Sequence, residues 1–138
     1  MMRPTEQQRR RILRANAAFL TVMSLFGLAL DIAGAFFASG PQSRILTGSS
    51  AGGPPAVGIG FVEAHGLALI LGITLWRVPP TRPWHLTAAA IHLLLGVSNL
   101  AFWNIFVESQ MLGMGYFTTI AHGVFAAAQL ASARNAAP

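Results

Sequence analysis

Apolar residues run almost without a break through four stretches of the chain, residues 15–38, 56–76, 84–107 and 113–131, with polar residues gathered between them. A helix rises about 1.5 Å per residue, so about 20 apolar residues cover the ~30 Å hydrocarbon core of a bilayer. Each stretch is long enough. The pattern predicts an all-α, polytopic membrane protein: four transmembrane helices in an up-down-up-down bundle, forming a single domain over residues 1–138.

The segments between the stretches refine that plan. Residues 5–14 read as a short helix leading into the first span, with Thr5 as N-cap and Gln8 completing a capping box. Residues 39–55 hold Gly, Ser and Pro without helical periodicity and read as an external loop. They lack the Gly-Lys-Ser/Thr ending of a phosphate-binding loop. Residues 78–83 form a tight turn, and the connection near residues 108–113 is also short, so neighbouring helices run antiparallel. Trp76, Trp84 and Trp103 fall near span ends, where indoles favour the headgroup boundary.

Charge sets the orientation. Arg3, Arg9, Arg10, Arg11 and Arg14 precede the first span, Arg77 and Arg82 flank the second connection, and Arg134 follows the last span. Only Arg44 lies on the other side, and cationic loops stay cytoplasmic, which predicts both termini inside and a basic cytoplasmic arm over residues 1–14. Arg9, Arg10 and Arg11 ahead of a hydrophobic run also look like an export signal. Asp31 at the end of that run and the three spans that follow favour a topology signal instead. The net charge of +5 is spread along span ends and not clustered on one face, which argues against a nucleic-acid partner. Charged residues make up 9% of the chain, against about a quarter in soluble domains. The absence of cysteine excludes disulfides and thiolate chemistry. Arginine and alanine usage without lysine suggests a GC-rich bacterial genome, and hence a bacterial inner membrane.

Polar residues inside the spans are the candidate chemistry, because an ionisable group in hydrocarbon costs at least ~2.5–3.5 kcal/mol. Asp31, Glu63 and Asn99 fall at one depth on the outer side; His65 and His122 lie near the midplane, and His92 somewhat inside it. Together they form an expected intramembrane cluster, with a contact between helices in each tier: Asp31 or Asn99 with Glu63, and His122 facing the bundle axis. Ser24, Gly27, Asp31 and Gly34 share one helical face, as do His92, Gly96, Asn99 and Trp103, and Gly115, Thr118, His122, Phe125 and Gln129. Glu63 and His65 are two residues apart and cannot share a face, so one of them must look outward, toward lipid or a partner. His85, beside Trp84, reads as a headgroup contact. Ala64-His65-Gly66 recurs as Ala121-His122-Gly123, a weak echo of a duplicated hairpin.

Four functional readings follow. The cluster can be purely structural, fixing helix register through hydrogen bonds. It can belong to a small membrane binding or accessory protein, acting as a homo-oligomer or as a subunit of a larger membrane complex in contact with the lipid bilayer, with a lipid or quinone as ligand. It can hold haem b between His65 and His122, with His92 in reserve and Gly66, Gly72, Gly96 and Gly123 making room, or a metal among Glu63, His92 and His122. It can be the proton ladder of a small proton-coupled transporter. Neither Ser24 nor Ser98 lies in a Gly-x-Ser-x-Gly elbow, so no catalytic residue is assigned and an enzyme is the less favoured class. The binding or accessory role is the leading expectation, because four helices offer little interior and the second span has a surplus polar face.

Overall fold

A computed structural model describes residues 4–41, 43, 56–134 and 136. Among them the chain forms five helices and no strand: α1 (Glu6–Phe37), α2 (Ala56–Arg77), α3 (Arg82–Ala101), α4 (Trp103–Glu108) and α5 (Leu112–Ala133). The expected loop at 39–55 lies largely outside the described residues. Three helices are long and apolar enough to cross a membrane: Glu6–Phe37, Gly58–Arg77 and Arg82–Ala101. The last helix has 22 residues, enough in length, but Thr118, Thr119, His122, Gln129 and Ser132 dilute its apolar character.

The arm and the first span are one element. Thr5 accepts a hydrogen bond from the Gln8 backbone N–H, and the Gln8 side chain accepts one from the Thr5 N–H, a complete capping box. From there the helix runs 32 residues without interruption, about 48 Å at 1.5 Å per residue. It is longer than a hydrocarbon core. Nothing in residues 5–14 supplies a Gly or Pro break, so the arm does not separate as its own helix.

The helices pack mainly as two pairs, α1 with α2 and α3 with α5. In the first pair the backbones touch at Gly72: a Cβ there would lie 2.9 Å from the Thr21 amide nitrogen and 3.1 Å from the Ala17 carbonyl oxygen. Only a residue without a side chain fits. The pairs meet at the arginine-bearing end, where Leu13, Ala17, Leu20, Leu75 and Ala88 form the apolar core, with Val78, Trp84, Ile91 and Leu95 against it. Arg14 lies over the Trp76 ring at 5.5 Å from its centroid, joining α1 to α2 where the apolar stretch begins.

The third span departs from expectation. Instead of running continuously to residue 107, α3 stops at Ala101, Phe102 takes φ −109° and ψ 33°, and α4 sets off as a separate short helix. Packing on α5 accounts for the break. Phe106 lies against Gly115 so closely that a Cβ there would be 2.8 Å from its ring, and Trp103 packs edge-on to Tyr116 at 4.9 Å. Gln110, at φ 58°, then turns the chain into α5.

Large apolar side chains mostly point outward, while many polar ones point in. Val22, Phe36, Ile59, Leu67, Ile70, Leu94, Val97, Ile120 and Val124 are exposed, whereas Asn16, Asp31, His85, His92 and Gln129 are 0% exposed. A soluble protein does the reverse, and an apolar surface this continuous marks contact with lipid or with other protein.

Candidate functional site

Three buried polar groups join helices within the pairs, and one of them also ties the pairs together. In the α1–α2 pair, His65 Nδ1–H donates to Asp31 Oδ2 at 2.6 Å. Gly27, one turn before Asp31, makes room for the ring, because a Cβ there would overlap its Nε2 edge. In the α3–α5 pair, the Nδ1 atoms of His92 and His122 lie 2.8 Å apart, so one ring donates a single proton to the other. Phe125 stacks on His92 with centroids 5.0 Å apart, and Phe19 reaches in from α1, edge-on to His122. Nearer the arginine-bearing end, His85 Nδ1–H donates to Gln129 Oε1, and Gln129 Nε2 donates to Asn16 Oδ1 at 2.7 Å, linking α3, α5 and α1.

The candidate residues therefore sort differently from their expected tiers. Asp31 pairs with His65 and not with Glu63. Asn99 donates to Thr118 and Thr119, at 3.0 and 3.2 Å, so no bond forms among Asp31, Glu63 and Asn99. Within the histidine tier, His92 and His122 do meet. The mismatch on the second span resolves clearly: His65 faces α1, and Glu63 is exposed on the opposite side of α2, without a hydrogen-bond or ion-pair partner among the described residues. His85 is completely buried and bonded to Gln129, so it is not a headgroup contact. Asn16 escaped the sequence reading. The signal available was its spacing: Asn16, Leu20, Ser24, Gly27 and Asp31 follow i, i+4, i+8, i+11, i+15, one stripe of α1.

Between the pairs, bordering the apolar core at Leu20 and Leu95, the helices part around a cleft of about 580 Å³. Ser24 and Gly27 of α1, His65 of α2, Ser98 and Asn99 of α3, and Thr118 and His122 of α5 contribute its polar and small positions. Phe102 and Phe106 close over it from the displaced α4 segment. The remaining lining is largely Leu, Met and Phe. Helical Ser and Thr in apolar surroundings commonly donate to the carbonyl one turn back, as Thr74, Ser109, Thr118 and Ser132 do here. The side-chain hydroxyls of Ser24 and Ser98 make no hydrogen bond among the described residues, and both residues line the cleft.

This geometry bears on the metal and haem expectations. Among the described residues no three His, Cys, Asp or Glu side chains converge as a metal site would, and Glu63, His92 and His122 do not stand together. Glu63 faces away, and the two histidines bond to each other. His65 and His122 do border one cleft, but the Nε2 edge of His65 rests on α1 at Gly27. The glycines expected to make room for a porphyrin lie elsewhere: a Cβ at Gly72 would meet Thr21, one at Gly96 would lie 3.4 Å from His122 Cβ, and Gly66 and Gly123 face open space. The expected proton ladder is also discontinuous, since no hydrogen bond links the Asp31–His65, His92–His122 and His85–Gln129–Asn16 groups among the described residues.

No protein-family model, curated protein or solved structure matches this chain.

Proposed function

We propose that this chain is a small integral-membrane binding protein whose four long helices all cross the bilayer, with both termini on the cytoplasmic side, and whose cleft holds an amphiphilic molecule. The cleft carries the reading: about 580 Å³ of mostly apolar space in which a few polar groups converge, the ordinary make-up of a small-molecule site. Three helices long and apolar enough to cross support the membrane placement, and the antiparallel packing of α5 on α3, with His85 bonded to Gln129, His92 to His122 and Asn99 to Thr118, supports α5 as a fourth. Arg14 at Trp76 marks a headgroup boundary, with Arg9, Arg10 and Arg11 beyond it.

The outer face of α2 supports a further part of the proposal, a protein partner in the membrane. Glu63 lies there between exposed Ile59, Leu67 and Ile70, and a carboxyl on a lipid-facing surface is costly. A second protomer, or another subunit, would cover it.

Extraction in mild detergent, followed by native mass measurement and organic extraction of bound molecules, tests the binding role. We expect a co-purifying lipid-soluble molecule, lost when Gly60→Trp fills the cleft; Gly60 lines it, and a Cβ there meets nothing within 4 Å. A protein that purifies empty, and that binds no lipid-soluble molecule when reconstituted, would remove the proposal.

A further inference from the structure

Resting on the binding role of the cleft, we infer that its occupant is a membrane quinone, held with its carbonyl oxygens toward Ser24 on one wall and Ser98 and His122 on the other. Ser24 belongs to the α1–α2 pair, whereas Ser98 and His122 belong to the α3–α5 pair, so polar groups face the cleft from both sides. The two serine hydroxyls are uncommitted and free to donate.

The histidine pair fixes what His122 offers. With one proton shared between the Nδ1 atoms, two neutral arrangements exist. If His122 donates at Nδ1, His92 must carry its proton on Nε2, which is completely buried with no partner. If His92 donates at Nδ1, its buried Nε2 is a bare lone pair, and His122 carries an N–H at Nε2. A buried N–H without an acceptor is the rarer and costlier defect, so the second arrangement prevails. His122 lines the cleft, and its Nε2 is not among the sealed atoms. It presents a donor.

Donors on two walls, without any lysine or arginine in the lining, select a neutral body with acceptors at both ends. A fatty acid or phospholipid brings an anion that would go unpaired here, and haem propionates have the same defect. Phe19, Phe26, Phe61, Phe102 and Phe106 line the space, faces and edges suited to a flat ring. A flat ring with a carbonyl at each end, soluble in the bilayer, is a para-quinone. Met23, Met111 and Met114 add adaptable surface for its substituents.

Titration of the purified full chain with decylubiquinone and, separately, with decylbenzene tests this directly. Decylbenzene keeps the ring and tail and lacks the acceptors. We expect decylubiquinone to bind at least tenfold more tightly, and Ser24→Ala, Ser98→Ala and His122→Phe each to weaken it about tenfold while leaving decylbenzene unchanged. Melting curves of each variant establish that it is folded. Equal affinity for the two ligands, or variants without effect on decylubiquinone, would overturn the quinone assignment and leave the cleft a generic apolar site. Failure of both ligands to bind would also remove the binding role. A Soret band in the protein as purified would assign the cleft to haem, against this inference.

Discussion

At the scale of single residues, the structure turns on how histidines are accommodated. Gly27→Ala places a methyl group where the Nε2 edge of His65 lies, so the ring must move and its bond to Asp31 must break or stretch. Overpacking of this kind costs about 1–3 kcal/mol. We expect a lowered melting temperature that His65→Ala partly restores, because removing the ring relieves the clash; a double-mutant cycle measures the coupling. Nitrogen-15 NMR of labelled histidine checks the second site: His122 should titrate as the Nε2–H tautomer and His92 as Nδ1–H, and His92→Phe should release that preference. The polar candidates could be named from the sequence because charge and imidazole are conspicuous among apolar neighbours. Their partners could not. Helical spacing gives a residue's angle on its own helix but not which helix stands opposite, so equal depth pairs Asp31 or Asn99 with Glu63, although His65, half a turn on, is the residue that meets Asp31. Asn16 was missed for a plainer reason: it sits where the arm was expected to meet the span, a place where a polar residue raises no question.

At the scale of elements, each pair repeats one device. A histidine on the second helix meets a polar partner on the first, with a glycine opposite it: His65 with Asp31 across Gly27, and His122 with His92 across Gly96. The Ala-His-Gly triplets mark those histidines in the sequence, but the glycines stand in opposite order, Gly27 four residues before Asp31 and Gly96 four residues after His92. The break at Phe102 was not legible, because no proline or glycine marks it; it follows from the contacts of Trp103 and Phe106 with α5, which no local pattern encodes. Gly115→Leu should therefore drive Phe106 away and disturb the cleft wall while α3 remains helical, seen as reduced ligand retention with little change in helical circular dichroism. Gln129→Leu acts on the opposite end. It leaves His85 and Asn16 buried without their shared partner, at a cost of about 1–3 kcal/mol, and thermal unfolding should show the loss.

At the scale of the whole molecule, the hydrophobic runs predict an all-helical chain with four spans; the chain is all-helical among the described residues, and three of its helices are long and apolar enough to cross a membrane, since lipid imposes a length and a polarity that few other environments do. The last helix is visible by length, but Thr118, Thr119, His122, Gln129 and Ser132 dilute its apolar character. The proposed orientation predicts that a cysteine replacing Thr81 is shielded from an impermeant thiol reagent in intact cells, whereas one replacing Ser50 reacts. The opposite pattern would invert the molecule. Glu63 belongs at this scale too, because it is exposed and has no hydrogen-bond or ion-pair partner among the described residues. Glu63→Leu should leave monomer stability nearly unchanged and shift the detergent-solubilised protein toward smaller assemblies if a partner's donor holds the carboxyl; unaltered assembly would place Glu63 against lipid alone.

The unbroken course of α1 has a mechanical consequence. Thr5, Arg14, Ser24 and Asp31 ride on one rod, with no hinge to absorb rotation between its capped start and the cleft. A torque applied to the arginines at the surface turns the hydroxyl of Ser24 and the carboxyl of Asp31 through the same angle. On the proposed binding role, whatever grips the arm would hold a lever on what the cleft accepts.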